Sequence, residues 1–346
     1  MTWWYSNKRS LALLTAVPIL TLVSATGPAR DDISLAHAPR LALPVACDMA
    51  RDCSIQKYVD RAPGPDRLDY RCGKLTTDGH DGVDYRLRRP WDMQRNVVVV
   101  AAAPGKVLRV RDGMRDISVK NPGTAIGDRL AGNGVVIDHG EGWESQYSHL
   151  KQGSLRVKQG DHVRSGDAIG AIGMSGNAEF PHLHFEVRRD GNAIDPFAAS
   201  TTTGCDDSRG SLWAANAKTL QQYKDTIVLA ADFAASPVDA MNAYQQAVRK
   251  RSIFDPEQLL IWGLTSGFKS GDTERFQIYD PKRGLILHRE AGISESTLQR
   301  VAFAGLKRPH EGWISGIYRG SYTLIRDGKI FGSAENSILI ELGSQH

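Results

Sequence analysis

The sequence predicts a mainly β protein, an antiparallel β-sheet domain followed by a β-sandwich-like C-terminal domain with one or two helices. Between residues 73 and 199, short apolar runs are divided by glycines, and no helical period of useful length interrupts them. Past Cys205 a second series of short strands recurs, with turns such as Asp327-Gly328. The composition, 41% hydrophobic and 24% charged in 346 residues, is that of an ordinary globular chain. Its net charge of +4 comes with no basic arm and no aromatic-interleaved basic patch, which gives no electrostatic case for nucleic acid.

In chain order, residues 1–25 read as an export signal. Lys8 and Arg9 precede an apolar core from Leu11 to Val23, and Val23-Ser24-Ala25 offers small residues for cleavage after Ala25. That core, about 13 residues, is short of the roughly 20 that span a bilayer, so no stable membrane span is expected after cleavage. The protein is expected to be exported and to work outside the cytoplasm. Residues 26–72 read as a lead-in, flexible to about residue 45 and turn-rich from Cys47 to Arg71. Export favours disulfides among Cys47, Cys53, Cys72 and Cys205. Four cysteines allow three pairings; we expect Cys47–Cys53, a short local loop, and Cys72–Cys205, which ties the ends of the segment 73–205.

Within that segment strands are expected at Val97–Ala103, Val107–Val110, Gly134–Asp138, Glu144–Leu150, Ala168–Ile172 and Pro181–Val187. The polar stretch from Asp112 to Asn133 is long enough to wall a groove. Residues 206–346 form the expected accessory domain. Leu212, Trp213, Ala217 and Leu220 have helical spacing. Ser236-Pro237-Val238-Asp239 looks like the cap of a second helix with Val238, Met241, Tyr244 and Val248 as its stripe. Strands follow at Leu259–Leu264, Arg275–Tyr279, Leu285–His288, Gln299–Phe303, Gly316–Ile325 and Ile338–Leu342.

The chemistry concentrates in three places. In Pro181-His182-Leu183-His184-Phe185-Glu186, the period of two puts His182 and His184 on one strand face. In Gly79-His80-Asp81-Gly82-Val83-Asp84, an even spacing keeps His80 and Asp84 on one side, whereas Asp81 points away. Tyr147-Ser148-His149-Leu150 adds a further histidine. A catalytic zinc takes three protein ligands and leaves one position open, so two of these five groups stay free as acid/base candidates. Which of His182 and His184 is the ligand is left open by the spacing. His139, His162, His288 and His310 read as ordinary surface or packing residues.

These blocks, with Gly134-Val135-Val136-Ile137-Asp138-His139-Gly140 and Val157-Lys158-Gln159-Gly160-Asp161-His162-Val163, occur in the order seen in lysostaphin/LytM-type zinc endopeptidases. The chain resembles that family over residues 73–199. The resemblance implies one zinc ion held by His80, Asp84 and His184, with His149 and His182 as catalytic histidines, and peptides of bacterial peptidoglycan as substrate. Two departures bear on the groove: the insertion at 112–133, and Met174–Phe180, which lacks the run of small residues often seen before the histidine pair. The alternatives are a non-catalytic LytM-like activator of another wall hydrolase and an exported protease acting on proteins. A lipoyl-type carrier barrel lacks its lysine here. For the C-terminal domain the exported context suggests a role in positioning the protein on the wall.

Overall fold

The computed structural model describes residues 35, 37–199, 204–205, 210–237, 242 and 249–342. The expected export signal, and the stripe Val238, Met241, Tyr244 and Val248 of the second expected helix, lie outside the described residues.

The first half contains β1 (Cys53–Lys57), β2 (Val83–Leu87), β3 (Val98–Val100), β4 (Gly105–Arg111), β5 (Asn133–Gly140), β6 (Trp143–Leu150), β7 (His162–Val163), β8 (Ala168–Ala171), β9 (His182–Arg189) and β10 (Asn192–Ile194). The main sheet runs β1-β2-β9-β6-β5-β4-β7, with β10 folded back on β9 and β3-β8 as a small separate sheet. Every pairing in it is antiparallel. Alternation decides what each face does. Val83, Tyr85, Tyr147, Leu183, Phe185 and Val187 are fully buried and build the core with Trp213. Asp84, His182 and His184 occupy the other face.

Three sequence expectations change. Only Val98–Val100 of the run 97–103 pairs as a strand, although Ala101, Ala102 and Ala103 remain buried behind it. From Leu41 the lead-in is core rather than flexible: Leu41 bridges Trp213 and Val45 bridges Val99, and both side chains are buried. The helix α1 spans only Ala215–Leu220. Leu212 and Trp213 are buried by that bridge to the lead-in and not by a helical stripe, while Leu220 is exposed.

The second half contains β11 (Ile227–Ala234), β12 (Ser252–Phe254), β13 (Gln258–Ser266), β14 (Thr273–Tyr279), β15 (Leu285–Gly292), β16 (Gln299–Lys307), β17 (Gly316–Arg326) and β18 (Lys329–Glu341). A sheet β11-β13-β16 packs on a sheet β12-β18-β17-β14-β15, with Phe233, Ile261, Phe276, Tyr322 and Ile340 between them. The other face of β11 and β13 carries Leu229, Trp262 and Leu264, packed with Trp91 of the first half. Trp91 and Trp262 meet edge-on, ring centroids 6.1 Å apart. β11 and β13 are therefore buried on both sides, and all eight residues of β11 are buried. No helix among the described residues is long and apolar enough to cross a membrane.

Both expected disulfides are present, Cys47–Cys53 and Cys72–Cys205, the second spanning 133 residues. Closing so long a loop removes unfolded-state entropy worth about 4–5 kcal/mol in the chain-entropy model. The double variant Cys72→Ser/Cys205→Ser is expected to lose about that much stability in urea denaturation; a loss below ~1 kcal/mol would contradict this role.

Candidate metal centre

Strand register brings the centre together. Asp84 of β2 lies opposite His184 of β9, which lies opposite Ser148 of β6. His80 sits just before β2, with its backbone carbonyl accepting from the Asp60 N–H. The expected trio converges: His80 Nε2 is 3.1 Å and His184 Nδ1 3.0 Å from Asp84 Oδ1. Two donors on one tetrahedral zinc, with bonds of 2.0–2.2 Å, stand about 3.3 Å apart. The donor set and its spacing fit such an ion.

The far sides of the rings fit it as well. His80 Nδ1–H donates to the Tyr58 carbonyl at 2.8 Å, which leaves the Nε2 lone pair facing Asp84. His184 Nε2–H donates to Asp81 at 3.2 Å, which leaves Nδ1 for a cation. The odd spacing does not turn Asp81 away as expected: its carboxylate lines the same cleft and orients the His184 ring from its far side. Burial opposes charge on His184, yet hydrogen bonds to Asp81 and Asp84 win and push its pKa up to about 10. The pocket thus attracts a cation, proton or metal. Burial also works against ionised Asp84, but His80, His182 and Lys57 hold its carboxyl well below the usual range. Lys57, opposite Asp84 in β1, places Nζ 3.3 Å from Asp84 Oδ2.

Gly82 is required by close approach. A Cβ there would lie 2.6 Å from His184 Nε2 and 2.8 Å from the Phe185 carbonyl oxygen. Gly82→Ala is expected to displace the ring and weaken zinc binding at least about tenfold, as loss of a supporting partner does. Competition with a chelating dye measures this, and unchanged affinity would contradict it.

His149 and His182 lie beside the trio. The His149 and His182 ring centroids are 4.6 Å apart, and His182 Nε2 is 3.7 Å from Asp84 Oδ1. Each pins Nδ1–H to a backbone carbonyl, His149 to Ser175 at 2.7 Å and His182 to Phe180 at 2.8 Å. Their Nε2 atoms are therefore the ones with free lone pairs. Burial pushes the pKa of His149 well down and that of His182 down to about 4, so both rings are neutral near pH 7. In a regular strand His149 would project opposite to Ser148, away from this face. A left-handed backbone, φ 62°, turns it back into the cleft. Such a conformation is costly for a non-glycine residue and tends to occur at functional sites.

The cleft, about 720 Å³, is lined by these residues and by Leu130, Ala131, Asn177, Glu179 and Phe180. The two sequence departures meet there. Asp116 accepts from the Met174 and Gln152 N–H groups, Val119 N–H donates to Ala178, and Leu130 accepts from Asn177 N–H. The insertion and the segment before the histidine pair therefore make one wall. His139 is elsewhere, bonded to Pro104 and Ser145, and His162 is exposed in β7. The period-two reading from Asp84 also applies to Arg86, which lies on the same face opposite His182, but it was not drawn from the sequence.

Residues 78–196 match the model of Peptidase family M23. Similar curated proteins include the murein hydrolase activator EnvC of Escherichia coli, 36% identical over 94 residues, 27% of this chain and 22% of that protein. The DD-carboxypeptidase/endopeptidase Mpg of Neisseria meningitidis serogroup B is 40% identical over 72 residues, 21% of this chain and 16% of that one. The chain thus spans less than a quarter of either relative. Among solved structures, a mutant catalytic domain of the prophage-encoded M23 protein EnpA from Enterococcus faecalis is 24% identical, with a TM-score of 0.30 over 46% of this chain and 95% of that chain. Residues 78–196 of this chain are a peptidase family M23 domain.

Proposed function

We propose that this protein is an exported zinc endopeptidase that hydrolyses peptide bonds of bacterial peptidoglycan. The observation that carries the reading is the convergence of His80 Nε2, Asp84 Oδ1 and His184 Nδ1 at one cation's spacing beside two neutral histidines. His80, Asp84 and His184 would hold the ion. Bound zinc supplies a Lewis acid that polarises a carbonyl and acidifies water. His149 and His182 present Nε2 to the cleft, where one takes a proton from the attacking water and returns it to the leaving amine. While it holds that proton, the same ring faces the oxyanion as a donor. Asp81 and the Tyr58 carbonyl keep the His184 and His80 rings in the ligating tautomer. Two disulfides support the exported setting, and the relatives' named activities support the substrate class.

The test is mass spectrometry of fragments released from purified sacculi, with and without a chelator. Chelator-sensitive release of peptide fragments is expected. No release, with stimulation of a second wall hydrolase, would favour the activator role that the EnvC name describes.

A further inference from the structure

The metal cleft has a wall that lies outside residues 78–196. Leu298 and Gln299, in the second half, line the same cleft as His149, His182 and His184. Their position is set by a sheet: Gln299 opens β16, paired with Ser266 of β13, and the Leu298 carbonyl accepts from Gly267 N–H at 2.9 Å and Ser266 Oγ–H at 3.1 Å. Leu298 also packs against the core of the first half.

A buried arginine joins this wall to the metal face. Arg86, fully buried two residues beyond Asp84, donates through Nη1 to the side-chain oxygens of Gln56 and Gln299. Its guanidinium also lies 4.2 Å over the Phe180 ring. Gln56, Gln299 and Phe180 all line the cleft, so one cation anchors three of its sides.

The network also fixes which end of the Gln299 amide faces the cleft. Arginine only donates, so Gln299 must turn Oε1 toward Arg86. Gln56 Nε2–H donates to the same oxygen at 3.3 Å. Gln299 Nε2 has no hydrogen bond among the described residues and is not a buried orphan, which leaves its two N–H groups to the cleft. An amide donor beside an apolar leucine, held on a strand, suits an extended peptide: a backbone carbonyl to the N–H and a side chain to Leu298.

We propose that Leu298 and Gln299 form a substrate subsite of the metal cleft, with Gln299 Nε2–H donating to a backbone carbonyl of the bound peptide. This rests on the peptidase reading. The second half is then a part of the substrate groove and not only a wall anchor.

The full chain carrying Q299E tests it, because glutamate keeps the contact to Arg86 but removes the donor; Q299A removes both. Two readouts are needed: steady-state hydrolysis of purified cross-linked muropeptides, and calorimetric binding of the same muropeptides to the chelator-treated protein. Both variants are expected to raise KM and weaken binding about three- to tenfold, the worth of one hydrogen bond. Turnover and zinc content should stay within about twofold of the parent. An active parent with KM and affinity unchanged in both variants overturns the subsite alone. A parent that binds but does not cut overturns the peptidase reading, and the binding arm then decides the subsite. A parent that neither binds nor cuts overturns both.

Discussion

His149→Ala is expected to keep one zinc ion per chain and to lose about 10²–10⁴-fold in hydrolysis, the usual worth of a general acid/base. The reason is positional. His149 belongs to neither group of donors that converge tightly enough to hold an ion among the described residues. Its Nδ1–H is tied to Ser175 and its ring is kept neutral by burial, so what it contributes is a lone pair in the cleft. The backbone around it is held independently, by Ala131 accepting from its N–H and its own carbonyl accepting from Gly173. Removing the ring should therefore leave the cleft's shape. Zinc content by mass spectrometry, measured beside sacculus hydrolysis, checks this; a mutant without metal would overturn the assigned role.

Asp84→Asn should abolish both metal and activity. Asp84 is 1% exposed, and its Oδ1 is the atom on which His80 and His184 both converge. An amide keeps the shape but removes the only carboxylate of the trio. It also leaves Lys57 facing the pocket without its ion-pair partner. The affinity loss should exceed the about 10–100-fold that follows removal of a supporting partner, because a ligand itself is gone. Equilibrium dialysis against buffered zinc measures it. Near-native affinity would mean that the ion sits elsewhere.

Much of the fold was legible because its strands alternate. β9 reads His-Leu-His-Phe-Glu-Val, and the structure buries Leu183, Phe185 and Val187 on one face as the period requires. Two of the strands that escaped notice did so for different physical reasons. β11 is buried on both faces and alanine-rich, so it shows no alternation. β2 alternates, but its outward residues are Asp84 and Arg86, charged because they serve the cleft face. The site residues were legible as motifs, whereas their supports were tertiary. Asp81 reaches His184, and Gln299 reaches Arg86, across separations that local spacing cannot report. The left-handed turn at His149 was equally invisible, and regular alternation would have pointed that ring the wrong way.

The most direct measurement is anomalous scattering at the zinc edge from crystals of the purified protein. One ion is expected, bonded to His80 Nε2, Asp84 Oδ1 and His184 Nδ1, with Asp81 on the far side of the His184 ring. A second set of donors, Asp81, His184 and Glu186, also lies close enough together to hold an ion. An ion in that set, or none in either, would contradict the account.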